Sequence, residues 1–435
     1  MRKTALHPFR LPPCLHSKFS NGLTIHVLTN HELPIVSAEL SLCCGSVHEE
    51  PGSLGVVGLM MRVIAADAVR PGRATRLGSF GGEESSTLSF SCLTPQFATN
   101  LDMLASAVLD PPLSHTQLEL ARDALMAELT RGTRDGGWLA DRALGRAVWG
   151  EHPLANSART TRAMFESATQ AELVRFHSRY LGPGGAHLCI AGDVDGAETI
   201  ARAEMLFGSW RGCSHSPRSA PPFGGVARAG QVLLVDRPSS EVEVRIGAKG
   251  VHRGHPRLGA IAVLNAILSE GFGSRLMTKL RAKRGLAYLV STVFRSFNSG
   301  GLFALATSTA VRNVAALLKA ALGEVEALRR RGPTRAELET AKRFVVGSFP
   351  ARFETTSAIV SILGEVFAEG LTTGWVEAYR ATVDALDHGD VSAAAAAHLP
   401  ASDEQTIVLV GPRDSITAEV AAQGAVTILS PKDLA

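Results

Sequence analysis

At 435 residues the chain is too long for one ordinary hydrophobic core, so about two to four domains are expected. Hydrophobic residues make up 45% and charged residues 20%, the composition of a soluble globular protein, and a net charge of +3 gives no reason to expect a nucleic-acid partner. No run of about eighteen uncharged apolar residues occurs, so no membrane span is expected.

Taken in order, residues 1–20 carry prolines, histidines and basic residues without an apolar centre, and read as an N-terminal extension rather than a secretory signal. Residues 24–30 (TIHVLTN) and 36–44 (VSAELSLCC) then read as strands, followed by a turn at Gly45 and an apolar helix over 53–66. The second half opens the same way. Residues 231–237 (QVLLVDR) and 241–248 (EVEVRIGA) read as strands, with a turn at Gly250 and an apolar helix over 257–268. Residues 114–129 line up with 334–349: Leu118, Glu119 and Ala121 fall on Leu338, Glu339 and Ala341, and each block starts with a Ser or Thr suited to capping a helix. The halves also close alike, with 186–193 (AHLCIAGD) matching 406–412 (TIVLVGP).

The sequence is therefore duplicated. Residues 212–230, rich in Pro, Gly, Ser and Ala, read as the linker between a first domain over 21–211 and a second over 231–435. Strands and long helices mix without strict alternation. The expected class is α+β: two homologous domains in tandem, each a mostly antiparallel sheet with helices packed on one face. The six cysteines (Cys14, Cys43, Cys44, Cys92, Cys189 and Cys213) form no Cys-x-x-Cys pair and are expected as free thiols in a reducing cytoplasm.

Several short motifs follow one another in a telling order. They are Asn21-Gly22-Leu23-Thr24, Pro34-Ile35-Val36-Ser37, Gly45-Ser46, Glu49-Glu50-Pro51-Gly52, Glu151-His152-Pro153-Leu154, the segment 175–195, and the segment 271–288. In that order and spacing the chain resembles the pitrilysin family of zinc peptidases, which includes insulysin and the mitochondrial processing peptidase, from about Asn21 to Pro412. The resemblance implies a clam-like dimer of two-domain chains. In active members Gly55 would be followed by an inverted zinc motif, His-x-x-Glu-His. Two imidazoles at i and i+4 then share one helix face and grip the metal, while the Glu activates water. Here those positions are Gly58, Met61 and Arg62, none of which supplies that chemistry. Glu128 falls where the family keeps a further glutamate ligand. One carboxylate cannot hold zinc alone, so it reads as a relic or an ordinary helix-surface charge. His252 and His255 flank Gly254 and Pro256 in a loop, with no third ligand near them in sequence. No metal is expected in this chain; zinc is expected in a partner subunit.

The second half keeps a different part of the machinery. Arg281 and Tyr288, seven positions apart in LRAKRGLAY, match the family's arginine–tyrosine motif. In relatives that pair reaches toward the zinc of the opposite half, where a guanidinium and a phenol can stabilise the tetrahedral oxyanion. A helix end near Gly285 would let Arg281 project from its last turn and Tyr288 from the strand that follows. The glycines of Gly271-Phe272-Gly273 precede this motif and show no phosphate-loop spacing. Residues 81–85 and 87–92 resemble the edge strand on which catalytic relatives pair their substrate, although Glu83-Glu84 replaces the usual Asn-Ala.

The resemblance thus implies a non-catalytic subunit of a heterodimeric zinc metallopeptidase. It would lend Arg281 and Tyr288 in trans to a homologous subunit bearing His-x-x-Glu-His, with a peptide or unfolded polypeptide as substrate. The alternative is a non-enzymatic peptide-binding or scaffold subunit of the same fold. A homodimeric peptide-holding chaperone is a third reading.

Overall fold

The computed structural model describes residues 8–67, 77–111, 113–213, 220–225, 229–420 and 425–435. Two six-stranded mixed sheets organise the chain. The first contains β1 (Cys14–Lys18), β2 (Thr24–Thr29), β3 (Ile35–Leu42), β4 (Gly78–Gly81), β5 (Ser86–Leu93) and β6 (His187–Gly192), in the order β1-β2-β6-β3-β5-β4. The second contains β7 (Val232–Asp236), β8 (Glu241–Lys249), β9 (Val290–Ser296), β10 (Gly301–Ala310), β11 (Thr406–Gly411) and β12 (Val426–Leu429), in the order β12-β7-β11-β8-β10-β9.

Five strands follow one path in both sheets: β2-β6-β3-β5-β4 corresponds to β7-β11-β8-β10-β9. In each, one parallel pair (β2 with β6, β7 with β11) adjoins a run of antiparallel pairs. The sheets differ at the sixth strand, where β1 joins antiparallel and β12 joins parallel. The duplicated sequence has folded into duplicated topology, and the helices Val56–Asp67 and Leu258–Ser269 stand where the apolar stretches placed them. The aligned helices His115–Gly132 and Arg335–Ser348 both start with a hydroxyl cap. Ser114 Oγ accepts from the Gln117 amide (3.3 Å), and Thr334 and Glu337 exchange hydrogen bonds as a capping box.

The chain separates into two compact units that do not follow the boundary at the linker. The unit built on the first sheet takes in Phe349–Ala378 from the second half, and the unit built on the second sheet takes in Glu128–Arg159 from the first. Period-two alternation in the strands explains what the exchanged segments do. On β3, Val36, Ala38, Leu40 and Leu42 face the apolar core, while Ser37, Glu39 and Ser41 face the other way, under the helix Thr356–Ala368. On β8, Val242, Val244 and Ile246 join the core with the helices Leu258–Ser269 and Val314–Arg331. Glu243, Arg245 and Gly247 turn instead toward the helix Gly136–Trp149. Each sheet therefore carries helices on both faces.

The exchanged helices lie close to their sheets. A Cβ at Gly247 would come 2.5 Å from a methyl of Leu144, and one at Gly364 would come 2.6 Å from Ser41 Oγ. The second-unit interface is also held by Arg245, which reaches Asp141 (2.5 Å) and Glu243 (3.0 Å). On the first sheet the covered face is polar. Ser37 Oγ bonds Ser91 and Thr356, and His26 lies flat on Phe367 with ring centres 3.6 Å apart. Burial and the neighbouring His187 and His16 push the His26 imidazole down to about 3, so it is neutral near pH 7. Burial, with the Glu365 carboxylate nearby, raises Glu39 to about 7 against hydrogen bonds from Ser361 and Ser41.

Of the linker, Phe223 is buried on Trp149 (4.6 Å between ring centres), and its amide donates to the Ser299 carbonyl; residues 214–219 and 226–228 lie outside the described residues. Among the described residues no single helix is long and apolar enough to cross a membrane.

Two outcomes are expected. Gly247→Val should destabilise by about 1–3 kcal/mol through overpacking against Leu144. Gly323→Ala, an exposed helical site with open space around it, should stabilise by about 0.5–1 kcal/mol. Urea unfolding of both variants checks the pair. The second outcome concerns pH. Because folding raises the Glu39 pKa from 4.5 to about 7, its contribution to stability is full below about 4.5 and is lost as pH rises through about 7. Glu39→Gln should leave stability unchanged at pH 4 and raise it at pH 8, flattening part of the profile, as unfolding curves at both values will show.

Candidate functional site

The helix Val56–Asp67 begins at a left-handed glycine, Gly55 (φ +92°), where a Cβ would meet Phe165 at 2.6 Å. Its first turn is capped by a buried carboxylate: Glu49 Oε1 accepts the Val57 amide at 2.9 Å. Burial raises Glu49 to about 7, although the Val57 and Gly55 amides work against that rise. The amide it accepts belongs to the residue just before Gly58, the first of the zinc-motif positions.

Those positions do not fit a metal. Met61 is buried, with its side chain against Gly81 and its neighbour Val57, and a Cβ at Gly58 would rest 3.7 Å from Leu125. Arg62 is half-buried on the same helix, and Glu128 is exposed on the helix His115–Gly132. A thioether, a bare Cα and a guanidinium offer neither paired nitrogens nor a general base. No group of three or more His, Cys, Asp or Glu arranged to hold a metal occurs among the described residues. His252 and His255 do gain a third ring from far along the chain: His398 stands 4.7 Å from His255, which is 5.7 Å from His252. The Nδ1 of His255 already accepts the Arg257 amide, and the three form no ligand set.

The strand that resembled a substrate edge is placed differently. Residues 87–92 lie in β5, an interior strand between β3 and β4, so the edge is β4 instead. All four residues of β4 are exposed. Glu83 stands in the β4–β5 turn, with its carbonyl accepting the Val47 amide at 2.9 Å. The alternation in TLSFSC showed a strand but could not rank it within the sheet, because Gly78–Gly81 is too short and glycine-rich to declare itself.

Arg281 and Tyr288 are brought together. Arg281 lies in a π-helical turn over Met277–Ala282, closed by Gly285 at φ +58°. The Gly285 amide donates to the Arg281 carbonyl (3.0 Å) and the Leu286 amide to that of Leu280 (2.7 Å). Tyr288 lies in the link ahead of β9, two residues before the strand rather than in it. Two buried threonines of β10 tie this link down. Thr309 Oγ1 donates to the Leu286 carbonyl (2.6 Å) and Thr307 Oγ1 to that of Leu289 (2.7 Å).

The Arg281 guanidinium lies over the Tyr288 ring at 4.8 Å and over the Phe272 ring at 5.1 Å. Phe272 and Tyr288 are 77% and 80% exposed, so neither is a core residue; their common contact is the cation between them. The side chain of Arg281 makes no hydrogen bond or ion pair among the described residues. Among the described residues its donors have no hydrogen-bond partner, and two rings face its guanidinium. Sequence reading reached Arg281 and Tyr288 but passed over Phe272, whose flanking glycines drew attention to the backbone instead.

Comparison with known proteins adds to this geometry. Residues 167–345 match the family model described as the peptidase M16 inactive domain. A Mycobacterium tuberculosis protein named an uncharacterized zinc protease is 27% identical over 292 residues, which is 66% of this chain and 66% of that protein. The chain thus spans just under two thirds of that relative's length. A Helicobacter pylori protein named a non-peptidase homolog, YmxG, is 24% identical over 359 residues, covering 79% of this chain and 81% of that one. The crystal structure of a peptidase M16 inactive domain from Pseudomonas fluorescens superposes with a TM-score of 0.84 at 23% identity, over 92% of this chain and 98% of that one. Over residues 167–345 the chain thus matches the peptidase M16 inactive domain, and over most of its length it is similar in sequence to proteins named zinc proteases or a non-peptidase homolog, with the fold of an M16 inactive domain.

Proposed function

We propose that this chain is the non-catalytic subunit of a heterodimeric zinc metallopeptidase and supplies Arg281 and Tyr288 in trans to a homologous subunit bearing His-x-x-Glu-His. The observation that carries the reading is the Arg281 side chain. It is held between two exposed rings with its donors unused, while the chain's own zinc-motif positions fit no metal. In a closed pair the guanidinium and the Tyr288 hydroxyl would face the scissile carbonyl. Their N–H and O–H groups would donate to the oxygen as it gains charge, and the clamp means little reorganisation is needed at that moment. The zinc and the attacking water belong to the partner, and peptide or unfolded polypeptide is the substrate. The six free thiols support a reducing, cytoplasmic setting.

A second reading, a peptide-binding or scaffold subunit without catalysis, draws on the non-peptidase name of the Helicobacter pylori relative. The two readings separate in one assay. An unstructured fluorogenic peptide is incubated with zinc and this chain, a homologue carrying the intact motif, or both. On the trans reading only the mixture cleaves. Arg281→Ala should then lower kcat by about 10²–10³-fold, as loss of an oxyanion donor does, and Tyr288→Phe by a smaller factor. Sedimentation should show the pair still assembled. A homologue equally active alone, or substitutions without effect, would make this chain a scaffold.

A further inference from the structure

The helix Gln170–Tyr180 turns one face toward the loop that leads into the helix Val56–Asp67, and the two enclose a cleft of about 250 Å³. Glu172, Arg175, Phe176, Arg179 and Tyr180 share that face by helical spacing. His48, Glu50 and Ser53 line the other wall, with Val56 opening the next helix. All of these residues belong to the first unit, so the cleft can be judged without Arg281 and without a partner subunit.

Two bonds cross the cleft. Ser53 Oγ donates to Glu172 Oε1 at 2.8 Å, and Arg179 Nη1 donates to Glu50 Oε1 at 2.8 Å. Glu172 and Arg179 are two helical turns apart, so the crossings stand about 10 Å from each other along the helix, with Arg175 between them. Nothing answers Arg175. It is exposed, and its side chain makes no hydrogen bond or ion pair among the described residues. Glu172, just before it on the helix, is already committed, because its second oxygen accepts the Thr169 amide at 2.7 Å. The apolar part of the cleft is aromatic. Phe176 is buried and Tyr180 half-buried, with ring centres 4.8 Å apart, and the His48 ring lies 5.4 Å from that of Tyr180. Rings tilted against one another in this way favour a further ring beside them.

A small cleft with aromatic lining, bridged at two points and carrying one unanswered guanidinium, fits a small planar acid. We infer that it binds a one-ring aromatic carboxylate, with the ring against Phe176 and Tyr180 and the carboxylate on the Arg175 guanidinium. The volume lies below the roughly 300–1,000 Å³ of sites for drug-sized ligands, which limits the occupant to a single ring. The fork of an arginine matches a carboxylate in two parallel hydrogen bonds, and here it can do so without displacing any partner within the chain. A dianion such as phosphate suits the cleft less well, because Glu50 and Glu172 line it too and would repel the second charge.

The test uses the whole chain and saturation-transfer NMR titrations with phenylacetate, phenylacetamide and cyclohexylacetate. Phenylacetate should bind saturably with a Kd of about 0.1–1 mM, the range open to a ligand of about ten heavy atoms. Phenylacetamide keeps the ring and loses the charge; cyclohexylacetate keeps the charge and loses the planar ring. Each should bind about three- to tenfold more weakly. Arg175→Gln should erase the preference for the acid over the amide, and its melting temperature should match the parent because the side chain is exposed. No saturable binding, equal affinity for phenylacetate and either analogue, or a preference that survives Arg175→Gln would each overturn the proposal.

Discussion

A six-stranded sheet has two faces, and the alternation of its strands decides what each can bury. Here one face of each sheet is aliphatic and packs on helices of its own half of the chain. The other face carries Ser37, Glu39 and His26 in the first unit, and Glu243 and Arg245 in the second. Leaving such a face bare would expose the sheet, and covering it with an apolar helix would strand its polar groups. Each unit meets the constraint with one helix from the other half of the chain, seated on a polar layer that it helps to satisfy. Thr356 bonds Ser37 in one unit, and Asp141 pairs with Arg245 in the other. Close approach at Gly364 and Gly247 makes that seat specific to one helix in one register.

This arrangement bears on the site because the same topology is used twice for different ends. In the first unit, the helix behind β4 and β5 carries Gly58 and Met61 where ligands would stand, and Met61 has gone into the interior. In the second, β9 and β10 anchor a link that holds Tyr288 out into solvent through two buried threonines. One copy packs at the positions where the resemblance places a metal motif. The other spends buried hydroxyls on the placement of an exposed ring, a use of polar groups that serves stability poorly and positioning well.

Much of the fold was legible because duplication doubles every signal. Strand pairs, apolar helices and capping hydroxyls appeared twice in the same order, so a pattern too weak in one half was supported by the other. The helix exchange was not legible. The polar faces of β3 and β8 show only that something polar covers them, and nothing in the periodicity of residues 136–149 or 356–368 names the sheet beneath. The edge was misplaced for a related reason: hydrogen-bond order is a property of the assembled sheet, and the true edge is four residues with two glycines. At the site, the motif gave Arg281 and Tyr288 by spacing. Phe272 was missed because a cation–π contact across nine positions, through a loop and a π-helical turn, has no period to follow.

The arginines of this chain allow one more step. Arg245 is tied to Asp141 and Glu243, Arg275 to both oxygens of Glu337, and Arg202 to Asp102. Arg142 and Arg146 are held instead by backbone carbonyls, of Ser157 and Leu434 and of Ala158 and Leu434. Arg281 has two aromatic rings, which fix the plane of the guanidinium while leaving its hydrogen-bonding edge unspent. Holding two rings largely exposed for that purpose forfeits the burial that aromatic side chains ordinarily contribute. No oxygen among the described residues meets that guanidinium, and on the trans reading proposed above the oxygen is one that arrives with a bound peptide.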